Sequence, residues 1–123
     1  MGVVVETGNG REPEPLRVAV TATVGVTVVT VAGEIDHASA GPLLEALDPG
    51  RLGASLRVVV DMRQVSFIDS SGINVLLAAH RDLTPNGWLR LAGMQASVMR
   101  TLEIVGVDSV IPCYTSLREA LTG

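Results

Sequence analysis

The stretch VVVDMRQVSFIDSSGINVLLAAHRDL, residues 58–83, runs from an apolar strand and short link (58–68) into an apolar helix (73–83). Asp69-Ser70-Ser71-Gly72 forms the joint between them. A carboxylate and two small hydroxyls are thereby set at the start of a helix, where N–H groups lack intrahelical partners and the macrodipole favours negative charge. Such a serine is open to three uses: a helix cap, a nucleophile, or an acceptor of phosphate. Capping is the commonest use of Asp or Ser before a helix, yet it accounts for only one residue of the four.

Outward from this joint, the pattern alternates between strands and helices. Upstream, Leu16, Val18 and Val20 alternate with Arg17, Ala19 and Thr21 as in a half-buried strand. A turn at 23–25 leads into a Val- and Thr-rich strand at 26–32, so the two form an antiparallel hairpin, and Gly33 is expected to end the second strand. Ser39 is a candidate N-cap, Pro42 suits a first turn, and Leu43, Leu44 and Leu47 give that helix an apolar face. Residues 56–60 are continuously apolar except for Arg57, as expected of a central strand covered on both faces.

Downstream, Ile73, Leu76, Leu77 and His80 recur at helical spacing. Asn86-Gly87 is a turn before a strand at 88–92. Val98, Leu102 and Val105 mark another helix that Gly106 stops, and 110–113 is a last short strand. Ser116 and Glu119 make a capping box for a terminal helix. This alternation predicts an α/β fold: a mixed four- to five-stranded sheet with an N-terminal antiparallel hairpin and about four helices. Residues 1–15, broken by Gly8-Asn9-Gly10 and Pro13-Glu14-Pro15, are expected to be a flexible tail, leaving 16–123 as one domain. Val3-Val4-Val5 could add an edge strand but is too short to insist on.

Composition excludes several function classes. The 123 residues are 47% hydrophobic but only 2% aromatic, so the core is aliphatic and base-stacking platforms are missing. The net charge is −4, all basic residues are Arg, and no basic stripe appears, which argues against direct nucleic-acid binding. The single cysteine, Cys113, has no internal disulfide partner and reads as a small buried hydrophobe. There is no basic-then-apolar leader and no run approaching the ~20 apolar residues of a membrane span, so a cytoplasmic protein without membrane attachment is expected.

Catalysis finds little support. An activated serine needs a base in hydrogen-bond reach; His80 lies ten residues beyond Ser70, roughly 15 Å along a helix axis, and His37 follows the second strand, reading as exposed and incidental. No Gly-x-Ser-x-Gly elbow, metal-ligand spacing, Walker loop or dinucleotide fingerprint occurs, so neither metal nor cofactor is expected.

A second segment, Gly33-Glu34-Ile35-Asp36-His37-Ala38-Ser39-Ala40, follows the second strand as Asp69 to Gly72 follows the third. If those strands are parallel neighbours, both acidic segments lie at the strands' C-terminal ends, where open α/β sheets place binding crevices. Taken alone, Asp36 reads as a turn residue capping the first helix. These two segments, with Gly87, Leu89-Arg90-Leu91, Gly106-Val107 and Ser116-Leu117 in step behind them, resemble the anti-sigma factor antagonists built on a STAS domain.

The resemblance spans about residues 16–121. It implies a non-enzymatic partner switch. Ser70 would be phosphorylated by an anti-sigma factor that is itself a serine kinase. The unphosphorylated form would bind that kinase and free a sigma factor, and a metal-dependent serine phosphatase would restore it. Asp36, Asp69, Ser71, Gly72 and Ile73 would serve partner binding, in a monomer or weak dimer acting in transcription regulation. The alternative is a STAS scaffold or ligand-sensing module in which Ser70 only caps the helix.

Overall fold

A computed structural model describes residues 15–52 and 55–123, so the expected N-terminal tail lies outside the described residues except for Pro15. Strands β1 (Arg17–Thr23) and β2 (Val26–Ile35) form the antiparallel hairpin. Strands β3 (Arg57–Ile68), β4 (Trp88–Ala92) and β5 (Cys113–Tyr114) follow in parallel, giving the sheet order β1-β2-β3-β4-β5. Helices α1 (Ala40–Ala46), α2 (Pro49–Leu52), α3 (Ser70–Leu83), α4 (Ala96–Val105) and α5 (Leu117–Thr122) connect or follow the strands.

The core lies mainly on one face of the sheet. There Val29, Val31 and Ile35 of β2 and Val58, Val60 and Met62 of β3 pack against Leu43 of α1, Leu76 of α3 and Leu102 of α4. The opposite face carries a smaller cluster beneath α5, made of Val26, Val28, Val59, Ala92 and Ala120. Arg90 ties α5 down: its guanidinium lies 3.9 Å over the Trp88 ring and donates to the Ala120 carbonyl at 2.8 Å. Val58, Val59 and Val60 have no exposed surface, as expected for a strand covered on both sides.

Four boundaries differ from the sequence reading. Gly33 does not end β2; it takes φ +111° and the strand continues to Ile35. A Cβ at Gly33 would stand 2.5 Å from the Pro15 carbonyl oxygen, so glycine serves a close backbone approach here. The link before Asp69 is part of β3, whose residues 58–68 face only residues 27–35 of β2, with two register shifts absorbing the surplus. The second shift, opposite Gly33 and Glu34, falls between Val65 and Phe67 and so turns Val65 and Ile68, three residues apart, into the same helix-covered core. The last strand begins at Cys113, because residues 107–109 form a 3-10 turn. Helix α2 was not anticipated; Asp48 accepts the Gly50 N–H just ahead of it.

Candidate functional site

Strands β2 and β3 end side by side, with Ile35 opposite Ile68. The two acidic segments therefore share one edge of the sheet, as expected from their parallel placement. They are joined directly, since the Asp69 N–H donates to the Ile35 carbonyl at 3.1 Å.

Asp69 is the N-cap of α3. Its extended backbone turns the chain, and its Oδ1 accepts the N–H groups of Ser71 at 2.8 Å and Gly72 at 3.3 Å. The capping role, open to Asp69 and the serines in the sequence, thus falls to the carboxylate. Ser70 becomes the first helical residue and is exposed, and its hydroxyl has no hydrogen-bond partner among the described residues. His80 lies on the same helix ten residues on, roughly 15 Å along its axis and too far to activate the Ser70 hydroxyl.

Gly72 and Ile73 face inward, Ile73 with 4% of its surface exposed. A Cβ on Gly72 would meet Ile35 Cγ2 at 2.5 Å and Ile68 Cγ1 at 2.8 Å. Gly72 therefore lets the first turn of α3 settle onto the ends of both strands. Ser71 is half-buried between this inner face and exposed Ser70.

Asp36 organises the other segment. Its Oδ1 accepts the Ser39 N–H at 3.0 Å, while its own N–H donates to Ser39 Oγ at 2.8 Å. The single Ser39 hydroxyl proton lies between the Glu34 carbonyl at 2.8 Å and Asp36 Oδ1 at 2.9 Å. The Ser39 hydroxyl above all, then the N–H groups of Ser39 and Ala38, hold the Asp36 carboxyl below its ordinary value against a smaller opposing effect of burial. Ser39 precedes α1 but does not cap it through its side chain. His37 is exposed.

Both carboxylates at this edge thus bind backbone N–H groups and hold the loops in place. The surface they support presents Ser70, Glu34, His37 and the half-exposed Phe67 ring. Glu34 and Phe67 were assigned no role from the sequence; the signal for the latter was its being the one phenylalanine of the chain. Among the described residues, no group of three or more His, Cys, Asp or Glu side chains is placed to hold a metal ion. Cys113 is half-buried, and burial, with Asp108 and Glu103 nearby, pushes its thiol up to about 11.

The family model for the STAS domain matches residues 17–120 of the chain, which include both segments and every strand. The chain belongs to the STAS-domain family. The anti-sigma-F factor antagonist RsfB of Mycobacterium tuberculosis is 27% identical over 111 residues, covering 90% of this chain and 91% of that protein. An anti-sigma-B factor antagonist of Listeria monocytogenes is 32% identical over 84 residues, covering 68% of this STAS chain and 74% of its relative. The crystal structure of an anti-sigma factor antagonist from Mycobacterium paratuberculosis superposes with a TM-score of 0.82 at 29% identity, covering 90% of this chain and 95% of that one. No helix among the described residues is long and apolar enough to cross a membrane.

Proposed function

We propose that this STAS protein is an anti-sigma factor antagonist switched by phosphorylation of Ser70. Unphosphorylated, it binds a serine-kinase anti-sigma factor in the cytoplasm and so releases a sigma factor. The kinase modifies Ser70, the complex dissociates, and a metal-dependent serine phosphatase resets the protein. The chain is ligand and substrate in this cycle and performs no catalysis itself.

The observation that carries this reading is the exposed Ser70 hydroxyl on the first residue of α3, beside a carboxylate already engaged as cap. A kinase must bring the terminal phosphate of its nucleotide to that hydroxyl, so the partner's surface there is negative. After transfer, the phosphoserine adds roughly −1.5 to −2 charges. It faces the nucleoside diphosphate across the interface, with Asp69 at its own side. A hundredfold loss of affinity needs about 2.7 kcal/mol, well within the reach of such a contact when water is excluded. Asp69 and Asp36 shape the docking surface, Ser71 contributes a small contact beside Ser70, and Gly72 and Ile73 support it from beneath.

The test is phosphorylation and binding with a purified cognate kinase and ATP. Wild type should gain one phosphate on Ser70 and then lose affinity. Ser70→Ala should bind persistently without being modified, and Ser70→Asp should bind at least tenfold more weakly while melting like the wild type. Modification elsewhere, or equal binding by wild type and a folded Ser70→Asp, refutes the switch.

A further inference from the structure

The sheet edge that carries Ser70 also carries a pair of side chains that neither the cap nor the core uses. Phe67 is the one phenylalanine in a chain with three aromatic residues, and 47% of its surface is exposed. It lies directly opposite Glu34 in the register of β3 on β2. The next pair along, Ile35 and Ile68, is buried in the core beneath α1 and α3. Successive strand residues point to opposite faces, so Glu34 and Phe67 project from the face turned away from those helices. An aromatic ring and a carboxylate therefore stand together on the face that, among the described residues, α5 covers only around Val26, Val28, Val59 and Ala92, away from these strand ends.

This pair is close to the switch. Phe67 precedes Ser70 by three residues, so their Cα atoms are at most about 10 Å apart, and Glu34 is one strand spacing from Phe67, roughly 4.8 Å. Phe67 and Glu34 thus border the surface that a partner reaching Ser70 would cover. The charge pattern points the same way. Asp36 and Asp69 direct their carboxylates at backbone N–H groups, whereas Glu34 engages the fold through its carbonyl, which accepts from Ser39 Oγ.

We infer that Phe67 and Glu34 form the second half of the docking surface. The kinase partner straddles the C-terminal edge of the sheet, takes the Phe67 ring into an apolar pocket, and places an Arg or Lys of its own against Glu34. The inference rests on the kinase-partner reading above and adds the residues that supply affinity. Aromatic side chains are enriched at the buried centres of protein interfaces. The division of labour follows from geometry. Ser70 reports phosphorylation at the helix end, and Phe67 and Glu34 hold the partner at a point that the phosphate does not occupy.

The test measures affinity of the full-length, unphosphorylated protein for the purified kinase anti-sigma factor by titration calorimetry, alongside urea unfolding of each variant. Phe67→Ala should weaken binding roughly 10- to 50-fold, from the ring area still to be buried. Glu34→Lys, which removes no core contact, should weaken it at least tenfold, with the loss shrinking as salt is raised. Val24→Ala, at the 98% exposed tip of the hairpin, should bind as wild type does. Wild-type affinity in both Phe67→Ala and Glu34→Lys overturns the inference while leaving the kinase reading intact. Unchanged binding with a large stability loss in Phe67→Ala also overturns it, since the ring would then serve the fold and not a partner. Failure of the wild type to bind any kinase-fold anti-sigma factor overturns both readings.

Discussion

Replacing Asp69 separates the cap from the charge at the heart of the site. In the wild type one oxygen, Oδ1, accepts two N–H groups of the first turn, a close one from Ser71 at 2.8 Å and a longer one from Gly72 at 3.3 Å. Asp69→Ala removes both bonds. The Ser71 and Gly72 N–H groups lie just under exposed Ser70, so water can reach part of what is lost, and the cost is that of a cap rather than of a buried orphan donor. It should be about 1 kcal/mol, within the usual range of roughly 0.5–2. For a domain of this size that corresponds to a fall of about 3–5 °C in melting temperature. Asp69→Asn keeps an acceptor at the same place and gives up only the interaction of the charge with the helix dipole, roughly 0.3–1 kcal/mol at an exposed terminus. The two variants should therefore rank wild type, then Asn, then Ala in urea midpoint, with a common slope. If Asp69→Ala unfolds with the wild type, the cap geometry is wrong and Ser70 must be reconsidered as the capping residue. If Asn is as damaging as Ala, the charge and not the acceptor position stabilises the turn.

Gly72→Ala should lower stability by about 1 kcal/mol, because crowding against Ile35 and Ile68 costs roughly 1–3 kcal/mol and outweighs the gain of about 1 kcal/mol in helix propensity; urea unfolding measures it. Ser39→Ala should return the Asp36 carboxyl towards its ordinary 3.8, read by carboxyl NMR titration. A lowered folded value stabilises at pH above the ordinary one and fades as acid protonates Asp36, so this variant should also show a weaker stability loss on acidification. Cys113, held at about 11 by burial first, favours the thiol in the folded state. That stabilisation is complete below about pH 9 and disappears towards 11, so wild type should lose stability over that window faster than Cys113→Ala, and alkylation at pH 8 should be slow in the folded protein.

Much of the fold was legible because its signals are local. The hairpin, the Asn86-Gly87 turn and the Gly106 stop rest on short-range rules, and Gly106 does take the left-handed conformation, φ +89°. Ser116 caps α5 as expected, although Glu119 turns its carboxylate to the Thr115 hydroxyl and completes no box. What escaped the sequence depends on longer-range packing. The two bulges of β3 are fixed by the length of β2 beside it, and without the second Val65 and Ile68 cannot be placed on one face. Gly33 looks like a terminator until the Pro15 carbonyl is seen against it. Helix α2 carried a readable start in Asp48-Pro49 but is too short for periodicity to reveal. At the site, Asp69, Ser70 and Ser71 are all capping residue types in a row, so composition alone could not say which one caps.

That assignment determines what kind of switch the edge can be. If Ser70 were the cap, a phosphate on its oxygen would bring new acceptors into the first turn itself, and the turn would have to rearrange around them. With Asp69 as cap, the Ser71 and Gly72 N–H groups already have an anionic partner. A phosphate on Ser70 could take them only by displacing one anion with another, with little net gain. The second segment is equally settled: the Asp36 and Ser39 side chains satisfy each other, and the Asp69 N–H is bound to the Ile35 carbonyl across the two strand ends. Among the described residues the Asp36, Ser39 and Asp69 side chains at this edge are all hydrogen-bonded, and Gly72 leaves no room beneath the turn for it to sink. In the proposed switch, a phosphate on Ser70 would then stay on the surface, where its charge would act on the partner rather than on the domain. An edge held in this way would make the proposed response local, since removing the phosphate would restore the binding surface without a folding step.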